Sequence, residues 1–384
     1  MENPFVYGDI ATGISFTNRE EELRQLQEDA RSGQNVVIIS PRRYGKTSLV
    51  VKVMELLRQE GVLIAYVDLF RTPSKVQFAD HLAGAIYGGM VAPFERVFQR
   101  AVSLFQQLPL RPRITVGEDG SPSFEFTAGQ PVRDLDTTIE HLLGMPGRIA
   151  RERRRKVALV LDEFQEVLEI DPHLPATMRS IFQFQPEVAH IFLGSKQRLM
   201  QQVFTERNVP LYRMAKPMRL GPIAADKFAA FIRARFTATS IVIDDAAIER
   251  ILSITGGLPQ DTQELCHFVW SLAQRERLTV TAADVDRALA SVIEAEDARY
   301  TLLWDGLSRH QRLVLIALSA EPGGVYAEGY RQRHRLGSPT SVQRSITRLV
   351  EREIVEPGSG EGYHVPDVFL RSWIARLVSG LPGT

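Results

Sequence analysis

Residues Asn35 to Val51 read NVVIISPRRYGKTSLVV, and the order of residue types in this stretch decides the fold. A run of apolar, β-branched residues predicts a strand, a basic turn follows, and Gly45-Lys46-Thr47-Ser48 leads into a helix. That succession is the sequence form of a phosphate-binding P-loop. A triphosphate needs several inward backbone N–H groups, the positive end of a helix dipole, one ammonium, and one hydroxyl for Mg2+. Ser40, Pro41, Arg42, Arg43 and Tyr44 make the loop around the phosphates, and Gly45 lets the backbone approach closely. Lys46 is expected to reach the β- and γ-phosphates and Thr47 to hold the metal, with Ser48 entering the helix. The pattern G-x-x-x-x-G-K-[ST] lacks its first glycine, because Ser40 stands in that place.

A second stretch supports the first. Lys156 to Glu163 read KVALVLDE, an apolar run that ends in two acids. Such a run suits a central strand of a parallel sheet, buried on both faces. Acids at its carboxyl end lie at the rim where open α/β sheets bind ligands. Asp162 is the expected Mg2+ ligand, through the ion's water shell, and Glu163 the group that orients or deprotonates an attacking water.

At 384 residues the chain predicts two or three domains. Hydrophobic residues make up 44% and charged residues 24%, as in ordinary globular proteins, so no disordered or fibrous class applies. Lys+Arg and Asp+Glu both number 46, so any surface for a polyanion must be local. The single cysteine, Cys266, excludes an internal disulfide and reads as a small core residue of a helix. No secretory signal opens the sequence and no apolar run approaches the ~20 residues of a spanning helix. The expectation is a cytoplasmic protein.

Along the chain, acids in the first turn mark a helix after Phe16, with Thr17 or Asn18 as its cap. Val62 to Phe70 (VLIAYVDLF) predicts a second buried strand, and residues 74–107 are helical. Between 109 and 131 the texture turns to Pro, Gly and alternating residues, and Asp119-Gly120 predicts an inserted hairpin. After a helix over 134–155 and the acid-ending strand, AHIFLGS predicts a further strand ending at Gly194-Ser195. Ser195 is placed either to touch the γ-phosphate or attacking water, or to cap the helix that follows. Residues 1–221 therefore form a nucleotide-binding core. Four helical patterns fill 222–298, with Asp244 and Thr281 as caps and Pro259 at a helix start after Gly256-Gly257-Leu258. From 299 to 384 the order is helix, helix, helix, β-wing, that of a winged helix; its third helix carries Val342, Ile346, Leu349 and Val350 on one face.

From end to end the chain resembles bacterial and archaeal P-loop ATPases of the AAA+/STAND group, whose parts are an ATPase core, a helical lid and a C-terminal winged helix. Origin-recognition-type initiators share this architecture. The residues that carry the resemblance are FTNREEEL (16–23), SPRRYGKTSL (40–49), LVLDEFQEV (159–167), FLGS (192–195), PLYR (210–213), GGLPQ (256–260) and YHVPD (363–367). It implies an α/β fold with ATP and Mg2+ as ligands. Ser195 then resembles the family's sensor, and Arg213 the arginine that reaches a neighbouring subunit's γ-phosphate, with Arg207 as runner-up. Pro259 resembles the lid proline that packs on adenine. A typical STAND protein has a recognisable His-Asp pair near the position of His364, and this sequence departs from it.

A winged helix raises the question of duplex DNA. Between Gly329 and Val350 stand Arg331, Arg333, Arg335, Arg344 and Arg348 with no acid. Arg344, Arg348 and Ser341 fall opposite the apolar stripe of the expected recognition helix, and with Arg331 and Arg333 they are the candidate DNA contacts. Residues 305–384 carry ten arginines against eight acids, a thin footprint for a polyanion. Three readings follow: an ATPase that switches conformation or assembly, an ATP-dependent DNA-binding oligomer, and a low-turnover nucleotide-binding scaffold for another protein. Because no sensor repeats accompany the core, any effector is expected to be a separate chain.

Overall fold

The computed structural model describes residues 2–11, 13–92, 105, 108–110, 112–116, 122–126, 132–207, 209–276, 279–358 and 362–380. The chain divides into two compact units, Ile10–Ile223, and Met1–Asp9 together with Ala224–Thr384.

The first unit begins with α1 (Glu20–Ser32), β1 (Val36–Ile39), α2 (Lys46–Gln59), β2 (Leu63–Asp68) and α3 (Lys75–Ile86). After the pair β3 (Arg113–Val116) and β4 (Pro122–Glu125) come α4 (Val132–Arg153), β5 (Val157–Asp162), the short α5 (Val167–Ile170) and α6 (Leu174–Phe182). It closes with β6 (Val188–Gly194), α7 (Gln197–Phe204) and β7 (Lys216–Met218). Five of the strands form one sheet in the order β2-β5-β6-β1-β7, and every pairing in it is parallel. The P-loop strand is therefore interior, between β6 and β7.

Both faces of the sheet are covered, which explains the near-continuous apolar runs. Val157, Leu159 and Leu161 of β5 enter one core with Phe78, Phe164 and Phe192. Ala158 and Val160 enter the other with Leu49, Val53 and Leu57 of α2. β5 is buried at all six positions.

The expected hairpin is present as the antiparallel pair β3–β4, with Ile114 opposite Phe124; its Asp119-Gly120 turn lies outside the described residues. So does most of 93–107, the later part of the expected helical stretch. One local expectation needs correction, and one strand was not expected. Neither Thr17 nor Asn18 caps α1: the N-cap is Arg19, with φ 76° and no side-chain cap bond. β7 has no counterpart in the sequence reading, because three residues with a central proline carry no strand signal; proline is tolerated at this sheet edge.

In the second unit α8 (Ala225–Ala238), α9 (Asp245–Thr255), α10 (Pro259–Glu276) and α11 (Ala282–Asp305) are followed by α12 (Arg309–Ala320), α13 (Glu328–Arg333) and α14 (Pro339–Glu351). A two-stranded wing, β8 (Glu356–Pro357) with β9 (Tyr363–His364), precedes α15 (Val368–Ser379). The caps at Asp244 and Thr281 form as expected, and Ser338 caps α14. α11 runs unbroken through the expected change of domain at 298/299, since EAEDARYTLLWD contains no glycine or proline to stop it. α15, absent from the sequence reading, is started by Asp367, whose carboxylate accepts from the Phe369 and Leu370 amides. Trp373 Nε1 donates to Asp297 Oδ1 at 2.8 Å and buried Tyr300 donates to Asp367 Oδ1 at 3.1 Å, fixing α15 against α11.

Candidate functional site

Strand register gathers the site. Asp68 lies opposite Asp162, and Ile39 opposite Gly194, so β1, β2, β5 and β6 all end at one edge of the sheet. The Ser40 amide still donates to the Gly194 carbonyl as the chain leaves β1. Gly194 has no room for a side chain: a Cβ there would lie 2.3 Å from Met200 of α7. That close packing sets the exit of the chain at Ser195.

In the P-loop, Arg43 (φ 74°) and Gly45 (φ 77°) are both left-handed, and the α2 helix begins at Lys46. The Lys46 ammonium curls back over its own loop and donates to the carbonyls of Ser40 at 2.9 Å and Pro41 at 3.2 Å. Ser40, the departure from the glycine pattern, is buried and its Oγ reaches the Pro41 carbonyl at 3.4 Å. The Ser48 hydroxyl accepts from the Ala11 amide at 3.1 Å, which ties the N-terminal segment to the helix start.

Asp162 is the centre of the arrangement. Its Oδ2 accepts from Thr47 Oγ1 at 3.2 Å and from the Tyr66 hydroxyl at 2.6 Å, while Oδ1 accepts from the Glu163 amide at 2.8 Å. Burial pushes its carboxyl above the usual carboxylate range; the bonds from Tyr66 and Glu163 N–H oppose this, and the Glu163 charge adds to it. The Tyr66 phenol is pushed up by burial and by the Asp162 charge, so it is a permanent donor here. The donor set around Asp162 Oδ2 is hard oxygen, with one carboxylate and the hydroxyls of Thr47 and Tyr66 converging from three elements. That set fits a small divalent cation completed by water and phosphate rather than by a protein cage.

Beside it, Glu163 adopts φ 49°, ψ 45°, a left-handed conformation that a non-glycine residue keeps only under constraint. Ser195 Oγ donates to Glu163 Oε2 at 2.8 Å, and Gln165 Nε2 donates to the same oxygen. Ser195 does not cap α7, whose N-cap is Lys196 with no side-chain bond. Gln165 is 1% exposed, and its Oε1 has no hydrogen-bond partner among the described residues. Lys196 reaches Glu166 at 2.9 Å on the outer side of the same turn.

Lys46, Thr47, Asp162, Glu163 and Ser195 are thus brought together. Other expected site residues are not part of this constellation. Arg213 is exposed, has φ 55°, and lies over its neighbour Tyr212 at 5.4 Å from the ring centre; Arg207 is exposed as well. Pro259 opens α10 in the second unit, after left-handed Gly256 and Gly257. In the winged helix, Arg331 is engaged by the Tyr326 and Gly337 carbonyls and Arg333 by Glu321 at 2.7 Å. Arg348 pairs with Glu351 at 3.0 Å, and Ser341 sits in the capping turn of Ser338. Arg344 is exposed on the outer face of α14.

Three residues escaped the sequence reading. Tyr66 is a polar aromatic in a strand pattern, and only the pairing of β2 with β5 reveals that it faces Asp162. Gln165 stands two residues after Glu163, and that closeness was the available signal. Arg19, in the N-terminal motif, is buried and donates to the Tyr44 and Gly221 carbonyls.

A parallel sheet with an interior P-loop strand, an adjacent acid-ending strand and a winged helix defines a P-loop ATPase of AAA+-like class. Over residues 16–265 the chain matches the family described as an ATPase domain predominantly from Archaea, and it belongs to that family. Residues 298–376 match a probable winged helix domain. Among solved structures, the Walker-type ATPase PABY2304 of Pyrococcus abyssi is similar over 94% of this chain and 96% of its own, with TM-score 0.64 and 15% identity. The ORC2 protein of Aeropyrum pernix, solved in ADPNP–ADP complexes, is similar over 99% and 97%, with TM-score 0.54 and 13% identity. These likenesses concern the fold. An uncharacterized WD repeat-containing protein of Synechocystis is 21% identical over 98% of this chain. The chain spans 31% of that relative's length. Among the described residues, no helix is long and apolar enough to cross a membrane.

Proposed function

We propose that this chain is a Mg2+-dependent ATPase of STAND-like type whose ATP/ADP cycle switches its conformation or assembly. The observation that carries the reading is the meeting of Thr47 and Asp162 on one carboxylate oxygen, with Glu163 beside it on Ser195. Lys46 exchanges its loop carbonyls for the β- and γ-phosphates, and the loop amides from Arg42 to Ser48 line the phosphate chain. Thr47 and Asp162 hold Mg2+, which when bound neutralises phosphate charge. Glu163 orients the attacking water, and Ser195 fixes its carboxylate. Residues 222–298 act as the lid and 299–384 as the winged helix. Arg213 completes the site of an adjoining subunit.

The test is ATP turnover against protein concentration, with Mg2+ and with EDTA. Turnover that requires Mg2+ and rises with concentration is expected. Turnover that survives EDTA would remove Thr47 and Asp162 from a metal role.

A second reading, an ATP-dependent DNA-associated oligomer, is favoured by the polar outer face of α14. There Thr340, Gln343, Arg344, Thr347, Arg348 and Glu351 line a shallow surface trough. Duplex binding that needs ATP and weakens with salt would select this reading. ATP binding with negligible turnover in every condition would leave the third reading, a scaffold for another protein.

A further inference from the structure

We infer that Arg19 is a positioning residue that couples the state of the P-loop to the segment through which the chain leaves the ATPase unit. The inference rests on the nucleotide-switch reading and adds to it a path for the signal. The Arg19 guanidinium is buried, with only 5% of its side chain exposed, and meets three partners from three parts of the unit. NH1 donates to Glu22 Oε1 at 2.8 Å, in the first turn of α1. NH2 donates both to the Tyr44 carbonyl in the P-loop at 3.0 Å and to the Gly221 carbonyl at 2.7 Å. Gly221 lies two residues before the boundary at Ile223, beyond which the chain belongs to the helical unit.

One nitrogen with two hydrogens thus bridges the loop that must reshape around a triphosphate and the strand of chain that exits the unit. A displacement of the Tyr44 carbonyl changes what the same nitrogen can offer Gly221. Glu22 fixes the other arm of the fork, so the guanidinium cannot follow one carbonyl freely. The planar five-donor geometry of arginine is needed for this, and an ammonium at the same place cannot hold all three partners in the same fork.

The backbone is built to aim the group. Asn18 (φ 53°) and Arg19 (φ 76°) are two successive left-handed non-glycine residues, a conformation that persists only where the surroundings over-determine it. They deliver the guanidinium inward at the position where an ordinary helix start would hold a small capping residue. No side-chain cap bond is made there, so helix capping does not account for the residue. Nothing at Gly221 crowds the chain, since a Cβ there would meet no atom within 4 Å.

The experiment compares amide hydrogen exchange of residues 219–226 in the full chain without nucleotide and with saturating Mg-ATP analogue, in wild type and Arg19→Lys, beside direct measurement of analogue affinity. In wild type the analogue changes exchange in this segment. In Arg19→Lys affinity stays within about fivefold of wild type, the lower edge of common coupling strengths, while the exchange response of 219–226 is lost. If the lysine variant fails to fold, Glu22→Ala carries the test: it frees one arm of the fork, and the response shrinks while affinity stays. A response kept in full in either folded variant overturns the inference, as does a wild type that binds the analogue with no change in 219–226. A wild type that binds no nucleotide overturns the reading beneath it, and the coupling with it.

Discussion

The carboxyl edge of the sheet and the arginine-rich winged helix both looked functional, yet they satisfy their charges in opposite ways. At the sheet edge, Thr47 of α2, Asp162 and Glu163 at the end of β5, and Ser195 after β6 are joined by hydrogen bonds, with the Lys46 ammonium on the carbonyls of the P-loop. In the winged helix, Arg331, Arg333 and Arg348 each find a nearby partner, and those partners are the wing unit's own carbonyls and acids. Buried polar groups are costly unless they are paired, so a convergence of them marks a place where the fold spends stability. Exposed arginines held one by one cost little and say less.

Substitutions can break or sharpen this contrast. Lys46→Ala carries the largest expected effect: ATP affinity falls by about 100-fold or more, from loss of a charge-assisted contact, as read by titration with a fluorescent ATP analogue. Affinity near wild type would dissolve the sheet-edge cluster as a phosphate site. Glu163→Gln keeps ATP but lowers turnover by about 10²–10⁴, measured as phosphate release at saturating ATP. Normal turnover in it would discard Glu163 as the water-orienting group. Ser195→Ala removes one bond to that carboxylate and lowers turnover by about tenfold, with affinity unchanged. A loss of affinity instead would assign Ser195 to the phosphate.

The winged helix gives the smallest effects. Under the DNA reading, Arg344→Ala reduces the salt slope of duplex binding by about one, whereas Arg333→Ala leaves it alone because Glu321 already holds that side chain. Equal effects from the two would return Arg333 to the binding face and weaken the contrast.

How much of this was legible in the sequence depends on the distance over which each signal is written. The P-loop and the acid-ending strand are contiguous, and their residue types are dictated by burial and phosphate chemistry, so both were readable. Ser195 was readable as a position but not as a bond, since its partner lies 32 residues away. Tyr66 became meaningful only through the parallel register that sets it near Asp162. Arg19 was invisible because propensity favours Thr17 or Asn18 as the cap, and tertiary contacts instead hold two left-handed residues there. The 298/299 boundary followed from a change in pattern, while the backbone passes it as continuous helix.

That unbroken α11 has a mechanical consequence. At 24 residues it is about 36 Å long. A tilt of about 10° at its first turn displaces its last by about 6 Å at that length. Anchored along its later half by Trp373 and Tyr300, the winged helix rides on a rigid shaft, so small rotations among α8, α9 and α10 arrive at the wing magnified.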